Sequence, residues 1–345
     1  MRNIPLKAIH QSLGAAFGDL EGWEVPLRYG NSSDEPSFLT RTGFIDLSYF
    51  GKVQVSGEER EMFLNALLTN DILPLGLGGS IYSALLDRKG KMLSDMWVLK
   101  QSDDFIFLVE PSMESKLIQI LNESVISEIV EFKDITNEYG LIGIYGPDSV
   151  QTLMNWSAKS GKPISNDSSN IGFKVHKDGL ALIKSGRLGI LGYDLFFPQD
   201  LSKEVWSDFL ALGIKPFGLD LFESTRIESG IPRYGIDMGE NTIPLEANLG
   251  HAISYSKGCY VGQEVISRIT HLGQANKRLA QIKLEKDLHK PGDLIFHEGK
   301  EVGALTSLNQ KTALGYVRRQ HAKADTQVQV RTEGKDFSAI IGKII

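Results

Sequence analysis

The sequence predicts an α+β protein that ends in a small all-β domain, and three observations predict it. Up to residue 275, strand-like and helix-like runs follow one another irregularly, without the steady βαβ alternation of a parallel sheet. After Asn276 the texture changes to short apolar runs punctuated by Pro291-Gly292, Glu298-Gly299 and Gly334. That is the pattern of a β-barrel or sandwich, and it places a domain boundary near residue 276. A chain of 345 residues is also too long for one ordinary core, and length alone suggests roughly two to three domains.

Taken in order, residues 5–17 place Leu6, Ile9, Leu13 and Phe17 on one face of a short amphipathic helix. Residues 22–30 read as a turn-rich aromatic connector. Residues 51–56 alternate as a strand with Val53 and Val55 inward, and 58–68 form a helix that buries Phe63 and Leu67. Residues 80–86 and 92–99 are strands joined by the turn Asp87-Arg88-Lys89-Gly90-Lys91, and 105–109 continue their sheet. Residues 112–121 are helical, and 141–145 form a buried strand that leads into a helix starting near Asp148. Strands at 180–185 and 192–197 and a helix at about 201–212 repeat the style. Beyond 276, strands are expected at 280–284, 302–307, 312–316, 327–331 and 337–345.

Composition narrows the function classes. Apolar residues make up 41% and charged residues 23% of the chain, the balance of a globular protein. A formal net charge of −6 argues against nucleic acid as the main partner, because phosphate binding needs a basic surface. No stretch approaches the ~18 apolar residues of a membrane span. With a single cysteine and no export signal, the expected location is a reducing cytoplasm.

That cysteine, Cys259, sits in Lys257-Gly258-Cys259-Tyr260-Val261-Gly262-Gln263-Glu264. Alone it forms no internal disulfide and holds no zinc or cluster, so its chemistry is that of a lone thiol or a ligand contact. Val265, Ile269 and Leu272 predict a helix beginning just after it. A helix N-terminus, with Lys257 and Arg268 nearby, would favour the thiolate; the competing reading is a small buried cysteine in a strand-to-helix turn. Arg226, Arg233, Tyr234 and several carboxylates over 226–246 form a second cluster. It is either a salt-bridged connection or a place where an arginine grips a ligand carboxylate in bidentate fashion. Asp95 interrupts an apolar strand: alternation puts it in solvent, whereas facing a cavity it would pair with ligand N–H groups or stabilise developing positive charge. The histidines, at positions 10, 176, 251, 271, 289, 297 and 321, show no metal-ligand spacing, and no P-loop, dinucleotide fingerprint or nucleophile elbow occurs.

The motif Lys257 to Glu264 resembles the signature of the folate-binding YgfZ-type family, and Ala275-Asn276-Lys277-Arg278 and Gly90-Lys91-Met92 fit the same family. The N-terminal half, with stretches further on, resembles a related family, the aminomethyltransferase T-protein of the glycine cleavage system. Its matching stretches are Pro5-Leu6 through His10, Gly22-Trp23-Glu24-Val25-Pro26-Leu27-Arg28-Tyr29, Gly43-Phe44-Ile45-Asp46-Leu47-Ser48, Thr69-Asn70-Asp71, Gly218-Leu219, Arg226-Ile227-Glu228 and Tyr234-Gly235-Ile236-Asp237-Met238. The resemblance implies three subdomains in a ring around a tetrahydrofolate site, two of them intertwined α+β subdomains within residues 1–275 and the third a C-terminal β-barrel over 276–345. It also implies that Asp95 falls on the T-protein's catalytic aspartate and that Tyr82, Arg226 and Tyr234 fall on folate-pocket positions. Lys257 and Cys259 fall on positions that the YgfZ-type family places at its site.

Departures from the T-protein pattern are Ser94-Asp95 for paired aspartates, Ser48-Tyr49-Phe50 for Ser-His-Met, Glu110 for an asparagine, and Ile190 for the pterin-binding glutamate. Losing that carboxylate costs the pairing to the pterin N–H edge. The leading expectation is therefore a tetrahydrofolate-binding protein of the YgfZ type that assists iron–sulfur cluster assembly or repair, with iron–sulfur proteins or their assembly machinery as partners. In it Cys259 is the functional thiol and Lys257 its electrostatic partner. The alternative is a tetrahydrofolate-dependent aminomethyltransferase or related one-carbon transferase that depends on Asp95.

Overall fold

The computed structural model describes residues 1–30, 35–162, 164–166, 173–175 and 179–345. His176 and the side chain of Leu272 lie outside the described residues. The chain divides into two compact units, one of residues 1–63, 72–81 and 96–222 and one of residues 64–71, 82–95 and 223–345. Two strands, Ser80–Leu86 and Met92–Lys100, begin in one unit and end in the other.

In the first unit a mixed sheet runs in the order Ala181–Lys184, Gly192–Pro198, Tyr139–Tyr145, Gly43–Asp46, Lys215–Pro216. Helix Ser202–Ala211 presents Val205, Trp206 and Phe209 as its buried stripe, at the i, i+1 and i+4 positions that share a helical face. A second group of strands pairs Gly51–Ser56 with Phe105–Val109 on one side and Glu131–Asp134 on the other. Val53 and Val55 are fully buried there, as the alternation predicts, each contributing about 1.5–3 kcal/mol of burial.

The N-terminal prediction needs correction. The helix spans only Lys7–Ser12, and Phe17 belongs to a strand, Ala15–Leu20, that pairs antiparallel with Trp23–Tyr29. Gly14 at φ +74° ends the helix, and Glu21 and Gly22, both at positive φ, make the tight turn. The aromatic connector is thus a strand. Its Pro26 is tolerated because it lies opposite Phe17, where the register shifts at a bulge and the missing N–H breaks little.

The second unit contains a closed barrel of six strands, ordered Lys277–Leu284, Thr312–Arg318, Lys300–Asn309, Leu294–His297, Gln327–Thr332, Lys335–Ile344. Closure leaves no free sheet edge. Leu294–His297 was not among the expected strands. Among the described residues no helix is long and apolar enough to cross a membrane, and no cluster of His, Cys, Asp or Glu has metal-ligand geometry.

Candidate functional site

The functional side chains named from the sequence, Tyr82, Asp95, Arg226, Tyr234, Lys257 and Cys259, all belong to the second unit. Asp95 is only 8% exposed, so strand alternation does not deliver it to solvent. The strand is buried on both faces here, with Ser94 and Met96 each 1% exposed. Its carboxylate accepts a short hydrogen bond from the Tyr82 hydroxyl, and the Tyr82 ring stacks on His251 with centroids 5.4 Å apart and planes 16° from parallel. Tyr234 donates its hydroxyl to the Leu93 carbonyl at 2.7 Å; burial raises its pKa, reinforced by Glu240 and Asp95. His251 is not legible from the sequence because its stacking partner is remote in the chain. Burial lowers its pKa, so the ring is neutral at physiological pH.

Thr69 and Asn70 explain how this corner is held. Thr69 Oγ1 donates to the Ala252 carbonyl at 2.6 Å and accepts from the Ala84 N–H at 2.9 Å. Asn70 Nδ2 reaches the Tyr82 and His251 carbonyls at 3.0 and 3.2 Å. One buried pair of polar residues therefore ties the strand that carries Tyr82 to the segment that carries His251.

Lys257 is placed differently from the sequence expectation. Its ammonium converges on three backbone carbonyls, those of Asn65, Leu68 and Asn70, at 2.6, 2.7 and 3.0 Å. Burial pushes its pKa down to about 8, with Asp71 pulling it back, so the three-donor ammonium persists at neutral pH. Its charge serves the end of helix Arg60–Leu67 and the turn after it. Lys257→Met is expected to lower stability by about 1–3 kcal/mol in denaturant melts, and Lys257→Arg to restore little, because a planar guanidinium cannot converge on three carbonyls.

Cys259 is exposed, which excludes the buried-cysteine reading. The helix after it spans Gln263–Leu272, with Gly262 as N-cap at φ +82°. The thiol therefore lies ahead of the first turn of that helix. Gly262 has a steric reason: a Cβ there would stand 2.6 Å from the Asp87 carbonyl oxygen. Arg226 is 1% exposed, and the carboxylates it grips are the protein's own. It bonds Asp237 at 2.7 Å and Glu223 at 2.8 Å, the Ile231 carbonyl at 3.1 Å and Ser307 Oγ of the barrel at 2.9 Å.

The family model described as GCVT N-terminal domain matches residues 6–257. The chain belongs to this family. A second model, the CAF17 C-terminal beta-barrel domain, matches residues 276–341 of this GCVT protein. Curated relatives named aminomethyltransferase include one from Geobacillus sp., 26% identical over 98% of this chain and 96% of its own length. Another, from Rubrobacter xylanophilus, is 28% identical over 91% of this chain and 85% of its own length. The crystal structure of glycine cleavage system aminomethyltransferase T from Bartonella henselae superposes with a TM-score of 0.87 at 23% identity, covering 99% of this chain and 97% of that one. This GCVT protein thus has the T-protein fold, with the closed six-stranded barrel at its C-terminus.

Proposed function

We propose that this GCVT protein binds a reduced folate and works on the one-carbon unit it carries, with aminomethyl transfer to tetrahydrofolate as the favoured activity. The observation that carries this reading is Asp95, a carboxylate kept 8% exposed on a strand and engaged by the Tyr82 hydroxyl. A buried carboxylate is costly to maintain and is suited to pairing with ligand N–H groups or with positive charge. The full-length likeness to proteins named aminomethyltransferase supports it. In the reaction, the carbon–sulfur bond of an aminomethylated lipoyl arm breaks with its electron pair going to sulfur. The methylene carbon becomes bonded to two folate nitrogens as each gives up its proton; one proton goes to the sulfur and the other to the amine, which leaves as ammonia. Asp95 stabilises the positive charge that develops at carbon and nitrogen. The test is turnover: protein, aminomethylated lipoyl carrier and tetrahydrofolate should give methylene-tetrahydrofolate and ammonia in equal amounts. No turnover with any lipoyl carrier overturns the reading.

The exposed thiol in the Lys257 to Glu264 motif favours a second reading, a folate-binding protein of the YgfZ type that assists iron–sulfur cluster assembly or repair. Cys259→Ala should then fail to restore iron–sulfur enzyme activity in cells lacking the protein, although its folate affinity is unchanged. Full rescue removes the thiol's role.

A further inference from the structure

Strand Glu131–Asp134, in the first unit, is the outer edge of its sheet. It pairs with Gly51–Ser56 on one side and with no strand among the described residues on the other. Glu131, Lys133 and Asp134 are exposed. The Ile135 N–H donates to the Lys52 carbonyl at 2.9 Å, which fixes the phase of the ladder. Alternation then turns the backbone groups of Glu131 and Lys133 inward, toward Ser56 and Gln54, and those of Phe132 and Asp134 outward. Outward N–H and C=O groups on an exposed edge are a template for another strand. Apolar surface lies beside them. Ile126 and Ile129, 91% and 60% exposed, come just before the strand. Met62, 70% exposed, is on the helix whose Phe63 ring lies 5.8 Å from the Phe132 ring.

Short length and a lysine ordinarily blunt such an edge. Here the lysine has its counter-charge two residues away, and charge selects both the occupant and the register. A second copy of this edge, paired antiparallel about a two-fold axis through Phe132, sets Glu131 opposite Lys133 of the partner subunit. Symmetry repeats that pair. The Phe132 N–H and C=O groups then bond their own counterparts across the axis, and the Asp134 N–H meets the carbonyl of Val130 of the partner subunit. The N–H of Val130 is already bonded to the Glu128 carbonyl at 3.1 Å, so only its carbonyl is needed. An axis through Glu131, Lys133 or Asp134 would set like charges directly opposite each other, which destabilises a strand pair. Four residues a side bury too little for a permanent dimer, and the exposed isoleucines add area only beside the edge, so the association is weak and concentration-dependent.

We propose that this edge is a self-association surface, on which two copies of the chain pair antiparallel about Phe132 and continue one sheet across both subunits. Sedimentation velocity on the full chain from about 1 to 500 µM covers the range of a weak dimer. Wild type should pass reversibly from monomer to dimer as concentration rises.

Lys133→Glu should raise the dimer dissociation constant about tenfold or more, because each Glu131 then faces a carboxylate. The charge swap Glu131→Lys/Lys133→Glu restores opposite charges in reversed order and should bring the constant back to within about threefold of wild type. Both positions are exposed, and the ion pair that Lys133 makes with Glu138 joins side chains 60% and 50% exposed, so the melting temperature should barely move. A wild type that stays monomeric over the whole range overturns the proposal, as it would if the edge served a different protein. A dimer indifferent to Lys133→Glu, or a weakened one that the charge swap fails to restore, overturns it too, because the contact then lies elsewhere on the chain.

Discussion

Asp95→Asn is expected to lower the rate of methylene-tetrahydrofolate formation by about 10²–10³-fold, the loss typical of removing one preorganised charge-stabilising group. The exchange is nearly isosteric, and the amide oxygen can still accept the Tyr82 hydroxyl that now bonds the carboxylate. The corner built by Thr69 and Asn70 does not contact the exchanged atoms through any of its bonds to Tyr82, Ala84, His251 and Ala252. Folding should therefore be preserved, and the melting temperature of the variant serves as the control. What the exchange removes is the negative charge. If that charge acts mainly on the transition state, kcat falls far more than folate affinity; if it acts mainly on ground-state N–H groups, affinity and kcat/KM fall together with little change in kcat. A variant with wild-type turnover would show that Asp95 is a structural partner of Tyr82 and no more.

The sequence shows more of the scaffold than of the site, for physical reasons visible at particular residues. The barrel is legible because its strands are separated by residues that break regular structure, yet Leu294–His297 escapes: it is four residues long, and only Ile295 and Phe296 are buried. The N-terminal helix is overextended because Phe17 continues its spacing by coincidence, while Gly14 had already ended it. At the site, the motif around Cys259 picks out the right segment. It cannot show that Lys257 folds back onto carbonyls of residues 65–70, because that contact is closed by tertiary structure alone. Asp95 misleads for a different reason. Alternation assigns a strand residue to core or solvent only when one face is wet, and this strand has no wet face around residues 94–96. The composition around Arg226 is equally ambiguous, since a buried strut and a ligand clamp both require arginine among carboxylates.

That ambiguity is resolved by the second large effect. Arg226→Met should destabilise the protein by about 3–5 kcal/mol, because it removes the cation from a buried pair and leaves its partner charged and uncompensated. Asp237 has a fully buried carboxylate that also accepts from the Arg233 N–H at 3.0 Å, Thr306 Oγ1 at 2.5 Å and Ser307 Oγ at 2.7 Å. Those neutral donors can orient the charge but not balance it. The double variant Arg226→Met/Asp237→Asn should recover part of the loss, since the residual cost is then of polar groups and not of an ion. The pH dependence has a defined sign. Burial raises the Glu223 pKa, but Arg233 and Arg226 outweigh it and hold the group below its ordinary value. Its contribution is therefore present above the unfolded-state value near 4.5 and is lost as pH falls through the lower folded value. Without Arg226 part of that depression disappears, so the acid-unfolding midpoint of Arg226→Met should move to higher pH. If the variant instead melts and acid-unfolds like the wild type while losing folate affinity, Arg226 belongs to the ligand and not to the scaffold.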